Sequence, residues 1–360
     1  MHQRFVAPRT YVQGAGALDD AAEAFDGLGT DRAFVLGGET ALAAAESRLV
    51  DGIETAGTDV GAVSRGVTAC TDSTVETHVG RVENTGADLV VGVGGGVAMD
   101  VATAVATRTD AALAAVPTVA STDAPCSTVA VIYDEAGTFL RTDLRDRNPE
   151  LVLVDTAVVA GAPARFLAAG MGDALATHFE ARAVGRSGAE TVAGGTSSFA
   201  ARDVAETALE RVEAYGPDAL AAVERDAVTP AVERVVEANT LLSGLGFESG
   251  GTAGAHAVQI GLTNVGVRAP HGVLVAFGTI AELVLEDAPP ETLARALDAV
   301  FAVGLDRTLA EFDAADADLT RVGEIAVANG MGDEPIDPSP ARVADAVRTA
   351  DELVARRRQA

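Results

Sequence analysis

The sequence predicts an α/β N-terminal domain built on a parallel sheet, then an all-α C-terminal domain, with the change near residue 160. Three observations carry this. Short, continuous aliphatic runs such as DLVVGV (88–93) and LVLVDT (151–156) alternate with helical segments, as expected of strands buried on both faces by crossover helices. One run ends in GVGGGVAMD, a strand–glycine turn–helix layout that makes the sheet Rossmann-like. After about residue 160 the apolar residues keep a helical period, and no convincing strand follows.

Taken in order, RAFVLGG (32–38) reads as a strand and the segment from Thr40 to Gly57 as a helix. GAVSRGV (61–67) is the next strand. A helix over 71–86 has Asp72 and Ser73 as start signals and Gly86 as its stop. DLVVGV, AALAAVPT (111–118) and LVLVDT are three further strands. Between the last two, VAVIYDEAGTFLRT (129–142) reads as a hairpin turning near residues 135–137. Helical periods then cover 165–183, 198–216, 227–248 and 294–312. The proline-rich loop EPIDPSP (334–340) precedes a last helix at about 341–357. The expected domains are therefore 1–160 and 161–360.

Composition narrows the function. Of 360 residues 48% are hydrophobic, enough for a real core, but only 4% are aromatic and none is Trp. The core must be packed from Val, Leu and Ala. Asp and Glu number 53 against 26 basic residues, all of them Arg, for a net charge of −27. Such a field repels nucleic acid and anionic membranes, so neither is an expected partner. The acids are scattered as on solvated helix faces, which points to a halophilic protein in a salt-rich cytoplasm, where screening makes self-repulsion tolerable. Two cysteines, Cys70 and Cys126, make no disulfide framework and suit a reducing cytoplasm. The N-terminus lacks a signal peptide's apolar core, and no window is apolar enough to span a membrane.

Three constellations carry chemistry. The loop at 92–96 fails both common phosphate signatures. The P-loop needs Lys and Ser/Thr where Val97 and Ala98 stand, and GxGxxG needs Gly at 97. Glycines opening a helix still offer backbone N–H groups and a positive dipole end to an anion. Asp100, just inside the helix, is placed to cap it. The second constellation is the polar loop STDAPCST (121–128), bracketed by Pro117 and Pro125, at the end of a parallel strand where α/β domains bind ligands. Asp123 is its only acid, and composition alone favours reading it as a turn residue. The third is the sparse histidines, His2, His78, His178, His256 and His271, with Asp173 in GMGDALATHFEAR. One Asp and two His suit a catalytic zinc with an open position. His178, a helical turn beyond Asp173, competes as a ligand.

At these residues the chain resembles the metal-dependent (iron-containing) alcohol dehydrogenase superfamily, in its glycerol dehydrogenase branch. The matching blocks occur in order over essentially the whole chain: TYVQGAGAL, VGVGGG–MD, VPTVASTDAPCS, GMGDALATHFEARA, GLGFESGGTAGAHA and HG–VAFGT. The resemblance implies a dehydroquinate synthase-like architecture, with residues 1–160 binding NAD and residues 161–360 binding metal and substrate. It implies Asp173, His256 and His271 as ligands of one divalent ion, zinc in this branch. It places Gly94, Gly95, Gly96 and Asp100 at the NAD pyrophosphate, Thr118 and Ser121 near adenine and ribose, and Ser127, Val129 and Tyr133 at the nicotinamide. Asp123 is then the substrate-contacting acid, and Phe247 a wall of the substrate pocket. The implied activity is oxidation of glycerol, or a similar vicinal diol, to the ketone, in a homo-oligomer that in this family reaches octamers.

The chain departs from the family at four places. Val97 and Thr103 stand where Lys is common. Gly38 stands where an Asp often holds the ribose, with Glu39 next in line. HGVLV replaces HGEKV after His271. The same architecture resembles glycerol-1-phosphate dehydrogenase and dehydroquinate synthase-type lyases, whose phosphorylated substrates need clustered basic residues. The pocket blocks here hold almost no Arg, which disfavours both.

Overall fold

A computed structural model describes residues 2–359. It divides into two compact units, one of Ala7–Phe166 with Ala221–Leu241, the other of Met1–Val6, Leu167–Leu220 and Leu242–Ala360. The expected division at 160 lies inside the first unit, and a segment expected in the second domain, 221–241, packs with the sheet. The cause is visible in its side chains. Glu233 accepts hydrogen bonds from Gln13 Nε2 (2.8 Å) and Thr156 Oγ1 (2.7 Å).

The first unit holds eight strands: β1 (Tyr11–Gly14), β2 (Arg32–Gly37), β3 (Asp59–Ser64), β4 (Leu89–Gly94), β5 (Ala112–Pro117), β6 (Val129–Tyr133), β7 (Phe139–Leu144) and β8 (Leu151–Asp155). Six form one sheet in the order β1-β8-β5-β4-β2-β3, and every pair in it is parallel. β6 and β7 pair as an antiparallel hairpin, with Tyr133 opposite Phe139. Alternate residues serve opposite faces of the sheet. Val35, Val91, Val93 and Leu153 enter one core, while Phe34, Leu36, Val90 and Leu113 enter another. This two-sided burial is why the strands read as unbroken aliphatic runs.

β1 was not expected as a strand. It is four residues long, half-buried throughout, and at the sheet edge, paired to β8 from Tyr11 opposite Val152. So short a segment carries no readable alternation. β3 lies two to three residues earlier than its apolar run suggests. The helix Asp72–Thr85 is capped by Thr71, whose side chain accepts from Thr74 N, and it stops at Gly86 in the left-handed conformation.

The second unit is helical, and no strand follows Asp155 among the described residues. Its long helices are Ala164–Ser187 and His271–Leu285, with Gly254–Asn264 between them in sequence. Phe199–Val223 begins in this unit, and Pro340–Arg357 closes it with Ser339 as N-cap. The helical run expected over 294–312 breaks. The helix ends at Ala302, Gly304 takes φ +70°, and a 3-10 turn resumes at Leu309. The run expected over 227–248 contains a π-helical turn at Ala238–Leu242. Among the described residues no helix is long and apolar enough to cross a membrane.

Candidate active site

The nucleotide-facing residues proposed from the sequence all lie in the sheet unit, at the carboxyl ends of β4 and β5, in the helix that follows β4, and in the loop and hairpin that follow β5. Gly94 ends β4 at φ +148°, a conformation that residues with side chains rarely adopt, and a Cβ there would stand 2.9 Å from Ala98 Cβ. Gly95 is the N-cap of the helix Gly96–Thr109, and no side chain caps that helix. Its first-turn amides therefore keep their polarity for a ligand. A Cβ on Gly95 would meet Val119 Cγ2 at 3.0 Å, and one on Gly96 would meet Thr122 Cγ2 at 3.2 Å. The glycines let the β5 loop close on the turn. Thr118 N donates to Gly94 O at 3.0 Å and ties the two strand ends together.

Asp100 does not cap its helix as expected. Its Oδ1 accepts from Val131 N at 3.2 Å, so it fastens β6 to the helix. Burial, with Asp123 nearby, pushes its carboxyl up to about 7 despite the Val131 bond. Ser127 is buried, and its Oγ accepts from Val129 N at 3.3 Å, shaping the entry to β6. Tyr133 packs edge-on against Phe139, and burial, then Asp100 and Cys70, raise its phenol above the usual range. Asp123 is buried at the start of the 3-10 turn Ala124–Cys126. Asn239, buried in the π-helical turn, donates to Ala120 O at 2.9 Å and so braces this loop. Gly38 precedes the helix Glu39–Thr55, and Glu39 is exposed at its first turn.

Asp173, His256 and His271 lie together in the helical unit. One ligand atom from each falls within 4.8 Å of the other two. His271 Nε2 is 3.5 Å from Asp173 Oδ1, and the two imidazole rings are 5.4 Å apart. Glycines next to Asp173 and His271 bring these side chains this close. A Cβ on Gly172 would lie 1.9 Å from Gly272 O, and one on Gly272 would lie 1.8 Å from Ala169 O. The helices Ala164–Ser187 and His271–Leu285 therefore cross backbone against backbone beside Asp173 and His271. A Cβ on Gly278 would meet Ala255 O at 2.3 Å, so the helix bearing His256 docks on the same partner as closely. Phe247 stacks on His256 with ring centroids 6.5 Å apart and planes at 24°.

Two imidazoles and one carboxylate converging this way form a donor set that fits zinc or ferrous iron, and the spacing fits one ion. His178, the rival ligand, lies outside the group. It packs edge-on against Phe179, and burial with Arg295 and Arg182 lowers its pKa to about 4. His78 bonds Ser64 Oγ and Thr74 O within the sheet unit.

The sequence reading missed three buried acids around the start of the helix Gly254–Asn264. Glu180 accepts from Ala253 N and His256 N, Glu334 from Gly254 N at 2.7 Å, and Glu282 from Ala255 N at 3.1 Å. They satisfy the donors a helix start leaves open. Gly254 lets them approach: a Cβ there would sit 2.5 Å from Glu334 Oε1 and 2.8 Å from Glu282 Cγ. Burial, then neighbouring glutamates, raises Glu282 above the carboxylate range and Glu334 to about 8. Glu286 beside them is paired with Arg182 and Arg186. The signal was available for Glu180, seven residues after Asp173 on a helix of small and apolar residues and so on the same face.

Residues 8–156 match the family described as iron-containing alcohol dehydrogenase. A glycerol dehydrogenase of Escherichia coli O6:H1 is 43% identical over 353 residues, covering 96% of each chain. The chain belongs to the iron-containing alcohol dehydrogenase family. A glycolaldehyde reductase of Halobacterium salinarum is 42% identical over 97% of both chains. The solved glycerol dehydrogenase of Schizosaccharomyces pombe superposes with a TM-score of 0.91 at 32% identity, over 99% of this chain and 92% of that one. As a member of this family the protein is an oxidoreductase acting on CH–OH groups. The alternative of a phosphorylated substrate is not favoured, because several relatives matching over nearly the full length are glycerol dehydrogenases.

Proposed function

We propose that this oxidoreductase is an NAD-dependent glycerol dehydrogenase that takes a hydride from the secondary carbon of glycerol to give dihydroxyacetone, NADH and a proton. The observation that carries the reading is the convergence of Asp173, His256 and His271 in a chain 43% identical to a glycerol dehydrogenase. These three side chains would hold one divalent ion, zinc in our reading. Such an ion supplies Lewis-acid polarisation of a hydroxyl, which lowers its pKa without a lysine base.

The residues of the chain do the rest. Gly94, Gly95 and Gly96 offer backbone N–H groups to the pyrophosphate of NAD, with the helix dipole behind them. Asp100 acts on the cofactor side by holding β6, which carries Val129 and Tyr133 at the nicotinamide. Ser127 fixes the turn before that strand. Thr118 and Ser121 serve the adenosine half, and Glu39 is the acid nearest the place where the family holds the ribose. Asp123 hydrogen-bonds a substrate hydroxyl and orients it, and Phe247 walls the metal-side pocket. The net charge of −27 fits a cytoplasmic enzyme working in high salt, and we assign it a homo-oligomeric state.

The Halobacterium salinarum relative favours a second reading, reduction of glycolaldehyde, which also carries two oxygens on adjacent carbons. One assay separates the two. Initial rates are measured in molar KCl for NAD+ with glycerol and for NADH with glycolaldehyde, before and after chelation, with zinc or ferrous iron returned. Chelator-sensitive glycerol oxidation restored by zinc supports the proposal. A folded, metal-loaded enzyme that ignores glycerol but reduces glycolaldehyde overturns the substrate assignment and keeps the chemistry.

A further inference from the structure

Glu180 is fully buried, and its two oxygens do different work. Oε1 accepts from the backbone N–H of Ala253 at 2.9 Å and of His256 at 3.0 Å. Oε2 lies 2.7 Å from Nδ1 of the His256 ring. One carboxylate thus grips both the main chain and the side chain of the same residue. Oε1 is occupied by two amides, which leaves Oε2 as the acceptor for an Nδ1–H at 2.7 Å, and a neutral ring bonded this way has its lone pair on Nε2. The Phe247 ring lies over one face of the His256 ring, with centroids 6.5 Å apart. Glu282 and Glu334 hold the two intervening amides, so the helix start cannot slide away from Glu180. The helix Ala164–Ser187 carries both Asp173 and Glu180, and so sets a ligand and the orienter of another ligand on one rigid element.

We propose that Glu180 is the positioning residue that makes His256 a metal ligand, by fixing its Nδ1–H tautomer and its ring plane so that Nε2 is presented to an ion shared with Asp173 and His271. This rests on the metal reading of the three-residue group. It adds that the group works only while a buried carboxylate, two helical turns from Asp173, dictates which imidazole nitrogen is free. A carboxylate behind a ligating imidazole also raises its basicity toward the metal.

Glu180→Gln tests this because the amide has nearly the same size but only one acceptor. If its oxygen stays on the two backbone N–H groups, its NH2 faces Nδ1 and the ring must carry its proton on Nε2. Two readouts are taken. In metal-stripped protein labelled with 15N-histidine, the chain's five histidines are few enough to assign His256 and read its tautomer. Zinc affinity is then measured by competition with a chelator. The expected result is an Nδ1–H ring in the wild type, loss of that tautomer in the variant, and about 10- to 100-fold weaker zinc binding.

Glu180→Asp keeps the acceptor and is expected to keep the Nδ1–H tautomer with a smaller loss of affinity, and it stands in should the Gln variant not fold. In a His256→Ala background, Glu180→Gln should weaken zinc no further. An unchanged tautomer with zinc affinity within about twofold of wild type would overturn the proposal. So would an affinity loss that persists without His256, since that marks a structural role alone. A wild type whose zinc binding does not depend on Asp173 overturns the metal reading itself, and the two failures are told apart by that control.

Discussion

The sheet unit and the helical unit build their polar sites by opposite means. In the sheet unit the groups proposed to face a ligand are main-chain amides at strand ends, cleared by Gly94, Gly95 and Gly96. The neighbours a new Cβ would meet there are tips of side chains, Ala98 Cβ, Val119 Cγ2 and Thr122 Cγ2. In the helical unit the groups are side chains on three helices, and the glycines hold backbone against backbone, Gly172 on Gly272 and Gly278 on Ala255. One design offers donors from a loop that tolerates small shifts. The other places ligand atoms by rigid helix crossings, where displacement has nowhere to go.

The largest expected effect tests the helical side. Asp173→Ala should cut glycerol oxidation by about 10³-fold or more, since a metal's charge stabilisation is worth several kcal/mol and each 1.36 kcal/mol is tenfold. NAD+ binding, measured by fluorescence quenching or calorimetry, should stay near wild type. If both are lost together, the two units are not separable in function.

The second test concerns a buried acid of the sheet unit. Burial pushes the Asp100 carboxyl up from its ordinary 3.8 to about 7 in the fold. Its folded pKa is raised, so its contribution is fully present below the unfolded value and is lost as pH rises toward the folded one. Between those values the folded state holds a proton the unfolded state has released. Stability should then fall by up to about 1.4 kcal/mol per pH unit from this group. Asp100→Asn should flatten that part of the fall, leaving the part due to Glu282 and Glu334. Chemical denaturation in high salt at pH 4.5, 6 and 7.5 reads the slope, and an unchanged slope would show that Asp100 is ionised in the fold.

The third and fourth tests compare the two kinds of glycine directly. Gly172→Ala forces a Cβ onto a carbonyl and should cost about 3 kcal/mol, at the upper end for overpacking. It should also weaken metal binding, since Asp173 is the next residue. Gly95→Ala meets only the end of Val119, and a shift there should leave stability within about 0.5 kcal/mol. It should weaken NAD+ binding about tenfold if one amide–phosphate bond is spoiled. Equal losses of stability in the two variants would erase the proposed distinction.

Much of this was legible in sequence, for identifiable reasons. β4, β5 and β8 announced themselves because both faces of each are buried, which leaves no polar residue to interrupt the run. Gly86 as a helix stop followed from the local need for a left-handed residue. Asp173, His256 and His271 were found through blocks that keep their order along the chain, and the gap between them, 83 residues from Asp173 to His256 by position, held no signal of its own. Asp100 shows the limit of local reasoning. Its place in the first turns of a helix suggested a cap, but its carboxylate turns to Val131 N on β6, an element defined only once the hairpin folds back. β1 was invisible because four half-buried edge residues draw their definition from β8.

What the sequence by itself determined is the order and type of most long elements and the acidic character. These depend on local period, on turn residues and on composition, all of which are properties of neighbours in the chain. Only the tertiary structure decided which side chains meet. It brought His271 rather than His178 to Asp173, because Gly172 and Gly272 allow one helix to lie against the other, whereas His178 is half-buried and packs on Phe179. It also placed Glu180, Glu282 and Glu334 at one helix start. Each is an ordinary glutamate in the chain, and it becomes a buried acceptor only where the backbone N–H groups of residues 253–256, distant in sequence, are brought to it.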